Sequence, residues 1–221
     1  MKFLSIFDVI GPNMIGPSSS HTAGACAIGL MTRKMLGEAP AEITFTLYGS
    51  FAKTYHGHGT DRALLGGMLG FSPDDERIRD AFDIANQYGV KFTFVPDDKT
   101  ETSHPNTADI FVTSISGHTL KVRGESIGGG KINIAAINDI EVDFTGEYST
   151  VIIRQGDVPG IVANITKALA AHKINIAFLR MYRDEQGKAY TIIEADEPIT
   201  PQVIDTIKTI DHVYDVKLIE M

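Results

Sequence analysis

Near the N-terminus, Gly16-Pro17-Ser18-Ser19-Ser20-His21-Thr22 brings hydroxyls and an imidazole to the point where a helical pattern begins. The unpaired N–H groups and the dipole at a helix start attract a carboxylate or a phosphate. His21 adds a ring that titrates near neutral pH. The plainer reading of the same residues is a Ser-rich cap beside an exposed His. A second cluster is His56-Gly57-His58-Gly59-Thr60-Asp61. Glycines on both sides of His58 let a small ligand come close to the backbone, and Asp61 is spaced to orient an imidazole and raise its basicity. The competing reading is a Gly-rich turn before a helix capped by Thr60. His56 and His58 fall short of the three protein ligands a zinc site takes, and no further ligand stands at metal-site spacing. His104-Pro105-Asn106-Thr107 and Ser126-Ile127-Gly128-Gly129-Gly130-Lys131 are weaker signals between strands. The triple glycine suits an anion nest and a bulged hairpin equally. In the C-terminal part, Gly156-Asp157-Val158-Pro159-Gly160 precedes a helix and Asn175 opens a strand. Grouped at one end of a sheet they would form an amino-acid pocket, with N–H groups for the carboxylate and Asp157 or Asn175 for the ammonium. Ordinary turn chemistry explains them as well.

The elements that position these residues follow from periodicity. Residues 18–36 read as a helix rich in small residues, with Gly37 just past its end. Strands are expected over 43–48, 91–95, 108–114, 119–125 and 131–136, and a short helix over 60–69. Ser72-Pro73-Asp74-Asp75 suggests another helix start, with Ile78, Phe82, Ala85 and Tyr88 as its buried stripe and Gly89 its stop. Ile140, Val142 and Phe144 alternate with charged residues as a half-exposed strand, and Thr145-Gly146-Glu147 reads as a linker between domains at 1–146 and 148–221. Beyond it come strand 148–154, a helix with Pro159 at its first position, strand 174–183, a turn at Asp184-Glu185-Gln186-Gly187 and strand 189–195. A helix capped by Thr200 with Pro201 in its first turn and strand 213–219 complete a βαββαβ order.

Composition narrows the function. The chain has 221 residues, 43% apolar and 22% charged, which is a globular balance. Acidic residues number 28 against 20 basic ones, and there is no basic run, which argues against nucleic-acid binding. No apolar stretch approaches the ~20 residues of a membrane span, and the first residues do not read as a signal peptide. The single cysteine, Cys26, can form no internal disulfide and reads as a small buried residue. A cytoplasmic location is expected.

Ser5-Ile6-Phe7-Asp8-Val9-Ile10, GPSSSHTAGA, GHGTD, HPNTA and SIGGGKI occur in this order. Together they resemble the β chain of bacterial two-chain, iron–sulfur-dependent L-serine dehydratases, and residues 148–221 resemble an ACT domain. The resemblance implies an α+β fold: an N-terminal domain of the allosteric-substrate-binding type, also found in some phosphoglycerate dehydrogenases, then a ferredoxin-like ACT domain. It implies a lyase reaction, L-serine to pyruvate and ammonia, active only with an α chain. A 4Fe–4S cluster in the complex would act on the serine hydroxyl as a Lewis acid, its thiolates supplied by the α chain because Cys26 cannot supply them. On this resemblance His58, His21 and Asp61 are the expected catalytic residues, with His58 as the base for the α-proton. Ser18, Ser19, Ser20, Thr22, Gly59, Thr60 and Asn106 are expected to bind L-serine. Asp157, Pro159, Gly160 and Asn175 are expected to hold a regulatory amino acid in the ACT domain. One departure is His56, where the resemblance leads one to expect Lys. The ACT domain is expected to self-associate through open strand edges, since neither 151–154 nor 213–219 contains proline. Two competing readings are a purely regulatory amino-acid-binding subunit and the sensing portion of an unrelated enzyme. Regulation needs hydrogen bonds to the amino acid, whereas catalysis needs a titrating base.

Overall fold

The computed structural model describes residues 13–138, 140–183 and 187–219. The Ser5-to-Ile10 motif and most of the expected turn at 184–187 lie outside them. The chain divides into two compact units, Met1–Asp139 and Ile140–Met221.

In the first unit, a π-helical turn at Ser19–Gly24 leads into α1 (Ala25–Leu36), which Gly37 ends in the left-handed region. β1 (Pro40–Tyr48) is followed by α2 (Gly49–Thr54) and α3 (Thr60–Met68). A 3₁₀ turn at Glu76–Asp80 and α4 (Ala81–Gln87) precede β2 (Lys91–Asp97). β3 (Thr107–Ser114), β4 (Thr119–Gly128) and β5 (Lys131–Ile137) then run as an antiparallel meander. The strands of this unit lie in the order β2-β1-β3-β4-β5. β2 pairs parallel to β1, so the intervening helices form the crossover a parallel pair requires. β2 is the outer strand and tolerates Pro96 there. Ile43, Phe45 and Leu47 of β1, Ile110 and Val112 of β3, and Ile134 of β5 are fully buried, as are Ile28 and Met31 of α1 and Leu64, Leu65 and Met68 of α3. The small residues of α1 act as a packing surface: an added Cβ on Gly29 would lie 2.3 Å from the Leu64 carbonyl, and one on Gly67 of α3 only 2.1 Å from the Cys26 carbonyl.

Two expectations for this unit are corrected, and one element was not foreseen. α2, which no hydrophobic period announces, follows β1 directly. The segment after Ser72 forms two short helices rather than one, because Asp75, and not Ser72, caps the 3₁₀ turn by accepting the Arg77 N–H. Tyr88 is 68% exposed and leaves the buried stripe.

The second unit opens with β6 (Ile140–Phe144). β7 (Ser149–Gly156), α5 (Ile161–Ala171), β8 (Ile176–Arg183), β9 (Lys188–Ala195), α6 (Pro201–Lys208) and β10 (Val213–Ile219) follow in βαββαβ order. The sheet order is β10-β7-β9-β8, the ferredoxin-like arrangement expected. Val151, Ile153, Ile193 and Val216 pack with Ile161, Ile165 and Leu169 of α5 and with Val203 and Ile207 of α6 in one core. Pro159 sits before the helix instead of inside it: Gly160, with φ +84°, is the cap residue. Thr200 stands at the next helix start, with Pro201 in the first turn, but its side chain makes no capping hydrogen bond. β7 is a central strand, so residues 151–154 are not an open edge; the edges of this sheet are β10 and β8. No helix among the described residues is long and apolar enough to cross a membrane.

Candidate functional site

The serine segment enters α1 through the wide π turn instead of a regular helix start. π turns are rare and concentrate at functional sites. Ser18 caps it: its backbone is extended and its Oγ accepts the His21 N–H at 3.2 Å. The Ser126 hydroxyl donates to the Ser20 carbonyl at 2.9 Å, which ties the segment to the end of β4. Gly24 makes room for that contact, since a Cβ there would lie 2.0 Å from the Ser126 Oγ.

β1 turns into α2 at Gly49, whose φ is +53° and whose added Cβ would meet the Pro105 carbonyl at 2.5 Å. Only glycine suits this position. The next residue donates its N–H to the same carbonyl at 2.7 Å, and its hydroxyl reaches His21: Ser50 Oγ lies 3.0 Å from Nε2. On the other side of the ring, Ser18 Oγ lies 3.4 Å from Nδ1. The Phe51 ring meets His21 edge-on at 5.3 Å, and the His58 ring does so at 4.8 Å. His21 is therefore held by two hydroxyls, an aromatic wall and a second imidazole. Burial, and secondarily the neighbouring His58, pull its pKa below the ordinary imidazole value.

His58 lies in the exposed turn between α2 and α3, with Gly59 at φ +69°. Its carbonyl accepts the Thr22 hydroxyl at 3.3 Å, which joins the two motifs. Asp61 does not orient His58. Its Oδ2 lies 2.8 Å from Nδ1 of His56, and its Oδ1 accepts the Arg62 N–H at 2.8 Å. The expectation of an Asp61–His58 pair is thus corrected: the side chains that meet across the turn are five residues apart, not three. Thr22 and Thr60 are buried, beneath the surface on which His58 lies.

The HPNT loop packs beside α2. Asn106 donates its N–H to His104 Nδ1 at 3.2 Å and its carbonyl accepts the Ser126 N–H at 2.9 Å. The Asn106 Oδ1 is buried and has no hydrogen-bond partner. One end of the sheet thus gathers Ser18, Ser20, His21, Ser50, His58, Asn106 and Ser126 by linked contacts. Sequence reasoning missed Ser50 and the pairing role of His56. The signal for Ser50 was a glycine immediately after an apolar strand.

In the second unit the structure separates the expected amino-acid ligands. Asp157 follows the end of β7 and pairs with Arg183 at the end of β8, Nε to Oδ2 3.0 Å. Asn175 precedes the start of β8 and binds Asp196 and Glu197. β7 and β8 both run antiparallel to β9, so they are parallel to each other. The helix that connects parallel strands must return the chain to the opposite end of the sheet. Asp157, Pro159 and Gly160 therefore lie at one end and Asn175 at the other. A cavity of about 520 Å³ bounded by Tyr148, Ser149, Asp196 and Pro198 lies at the Asn175 end.

The chain's own residues do not fit a 4Fe–4S cluster. Cys26 is fully buried, its thiol donates to the Phe71 carbonyl, and burial pushes its pKa up to about 12. Among the described residues no group of three or more His, Cys, Asp or Glu is placed to hold a metal ion.

Comparison with known proteins gives two family matches: serine dehydratase beta chain over residues 5–136 and ACT domain over residues 149–212. The chain is 41% identical over 217 residues to the probable L-serine dehydratase, beta chain, of Bacillus subtilis, covering 98% of each. It is 38% identical over 222 residues to the L-serine dehydratase, beta chain, of Peptoniphilus asaccharolyticus, covering 100% of each. A more distant match is the D-3-phosphoglycerate dehydrogenase of Bacillus subtilis, 24% identical over 88% of this chain and 37% of that protein.

Proposed function

Because this chain belongs to the serine dehydratase beta-chain family, we propose that it is the subunit that handles protons and the substrate carboxylate in an L-serine dehydratase, in complex with an α chain. The observation that carries this reading is the contact between the His21 and His58 rings at 4.8 Å, with the His21 ring held between the Ser18 and Ser50 hydroxyls. His58, flanked by glycines, takes the α-proton of L-serine. The C–H electron pair becomes the Cα=Cβ bond as the Cβ–O bond breaks, and the departing oxygen takes back the proton that the imidazoles removed, so it leaves as water and His58 is regenerated. The resulting aminoacrylate tautomerises to an imine, which water hydrolyses to pyruvate and ammonia. His21, braced between Ser18 and Ser50, receives or returns the proton carried by His58. Ser19, Ser20 and Asn106 face the substrate carboxylate and hydroxyl in this scheme, and Gly59 lets the backbone approach. Asp61 acts through His56, and Thr22 and Thr60 support the two motifs from below. The 4Fe–4S cluster belongs to the α chain, whose thiolates supply what Cys26 does not. The ACT domain binds an amino acid as a regulatory ligand, and copies associate through the β10 or β8 edge.

The test is His58→Ala assembled with the α chain, with cluster content verified, assayed for pyruvate from L-serine. Loss of a general base predicts a fall of at least ~10²-fold in kcat. The finding that Asp61 serves His56 favours a second reading, in which the chain only regulates. A kcat within a few-fold of the parent at saturating serine, with a changed apparent affinity, would establish that reading instead.

A further inference from the structure

We propose that His56 is a positioning residue: its bond to Asp61 straps the turn that presents His58. This rests on the reading of His58 as the α-proton base. The turn is short. His58 N–H reaches the Thr54 carbonyl at 3.1 Å, Gly59 N–H the His56 carbonyl at 3.4 Å, and Thr60 N–H the Tyr55 carbonyl at 2.9 Å. The His56–Asp61 bond closes the overlapping span 56–61 from the side chains. Its two ends differ in exposure: the His56 side chain is 75% exposed and that of Asp61 only 5%. Exposed ion pairs ordinarily contribute little, but here one member is a buried carboxylate anchored in the first turn of α3, where the helix dipole favours negative charge.

An ionised carboxylate only accepts hydrogen bonds, so the proton of a neutral His56 lies on Nδ1. The Tyr55 ring, with its centroid 4.0 Å from that of His56, supports the imidazole from one side. With His56 removed, Asp61 keeps only the Arg62 N–H among the partners seen here. A buried carboxylate short of partners draws in water, and the turn must open to admit it. His58 then moves relative to His21. The group needed at position 56 is any donor long enough to reach Asp61, so Lys should replace His where Ala cannot.

The closing experiment has a kinetic arm and a spectroscopic arm. In the enzyme assembled with the α chain, His56→Ala should lower kcat ~10-fold while KM for serine stays within ~2-fold, the expected pattern of a misplaced catalytic group. His56→Lys should recover most of that loss. In a His58→Ala background, His56→Ala should cost nothing further, because the two act as one unit. In the isolated full chain, ¹⁵N NMR should find the neutral His56 proton on Nδ1, a preference that Asp61→Asn abolishes. Amide exchange at His58 and Gly59 should rise at least ~10-fold in His56→Ala, as local opening becomes easier. An Nε2-protonated His56 with unchanged exchange in His56→Ala overturns the strap whatever the kinetics. A strap seen by NMR together with normal kcat in His58→Ala upholds the strap and removes His58 as the base. A kcat loss in His56→Ala that persists in the His58→Ala background overturns action through His58.

Discussion

Gly67→Ala is the substitution whose outcome the structure sets most directly. Gly67 faces α1, and a Cβ built on it lies 2.1 Å from the Cys26 carbonyl oxygen and 2.6 Å from the Leu30 nitrogen. Both are helix backbone, with no rotamer to turn away. α1 and α3 must separate by roughly 1 Å, and such overpacking typically costs about 1–3 kcal/mol, more where the obstacle is rigid. Ala gains at most about 1 kcal/mol of helix propensity over Gly. The net expectation is a loss of about 2 kcal/mol, a factor of roughly 30 in the folding equilibrium. The neighbouring Gly66 is the internal control. Its Cβ would meet the Ile78 Cγ1 at 3.0 Å and the Phe71 Cδ2 at 3.5 Å, side-chain atoms that can yield. Gly66→Ala should therefore change stability by less than about 0.5 kcal/mol, since propensity and crowding nearly cancel. The assay is native-state amide exchange at Ile28 and Met31 of α1, with Ile193 of β9 as a reporter in the other unit, alongside urea unfolding followed by circular dichroism. Faster exchange in α1 alone is expected for Gly67→Ala. The serine segment precedes α1 and the His58 turn precedes α3, so the same variant should also weaken the His21–His58 contact. Equal stability of the Gly67 variant and the parent, or a greater loss at Gly66, would refute the packing argument.

Three more outcomes are expected. His21 has a lowered pKa in the folded chain, so the unfolded chain binds more protons below the ordinary imidazole value of 6.5; stability should fall as pH drops through that range, and His21→Asn should flatten the slope of urea midpoint against pH. Cys26, buried and with its thiol raised to about 12, should resist iodoacetamide at pH 8 in the native chain and react at the rate of a free thiol in urea; rapid native alkylation would contradict this. Arg123 grips Asp109 with two hydrogen bonds, 2.6 and 2.7 Å, while Tyr48 donates to the same carboxylate at 3.0 Å. Arg123→Met should destabilise the chain by about 3 kcal/mol, measured by urea unfolding, because it strands a largely buried charge; a loss under about 1 kcal/mol would show that water reaches Asp109.

The division between what was legible and what was not follows from the range of the interactions. Periodicity along the chain showed the ACT-type order of strands and helices, because Ile161, Ile165, Ala168 and Leu169, or Val203, Ile204 and Ile207, must share a face to be buried at all. α2 escaped, since six residues carry too little period and its start depends on Gly49 meeting the carbonyl of Pro105 far along the chain. The grouping of Asp157 with Asn175 failed for a topological reason that the βαβ rule already contained.

The order of residues already holds the available chemistry: serines, histidines and glycines in motifs that match a serine dehydratase beta chain, and a single cysteine. Local patterns determine these because residue type and near-neighbour spacing are properties of the chain. Tertiary structure alone decided which side chains meet. Asp61 lies three residues from His58 and five from His56, yet it binds His56, because the turn before α3 brings that ring to the carboxylate. His21 and His58 meet, and Ser50 completes the contact, because β1 and the close packing of α1 on α3 bring three distant segments to one sheet end.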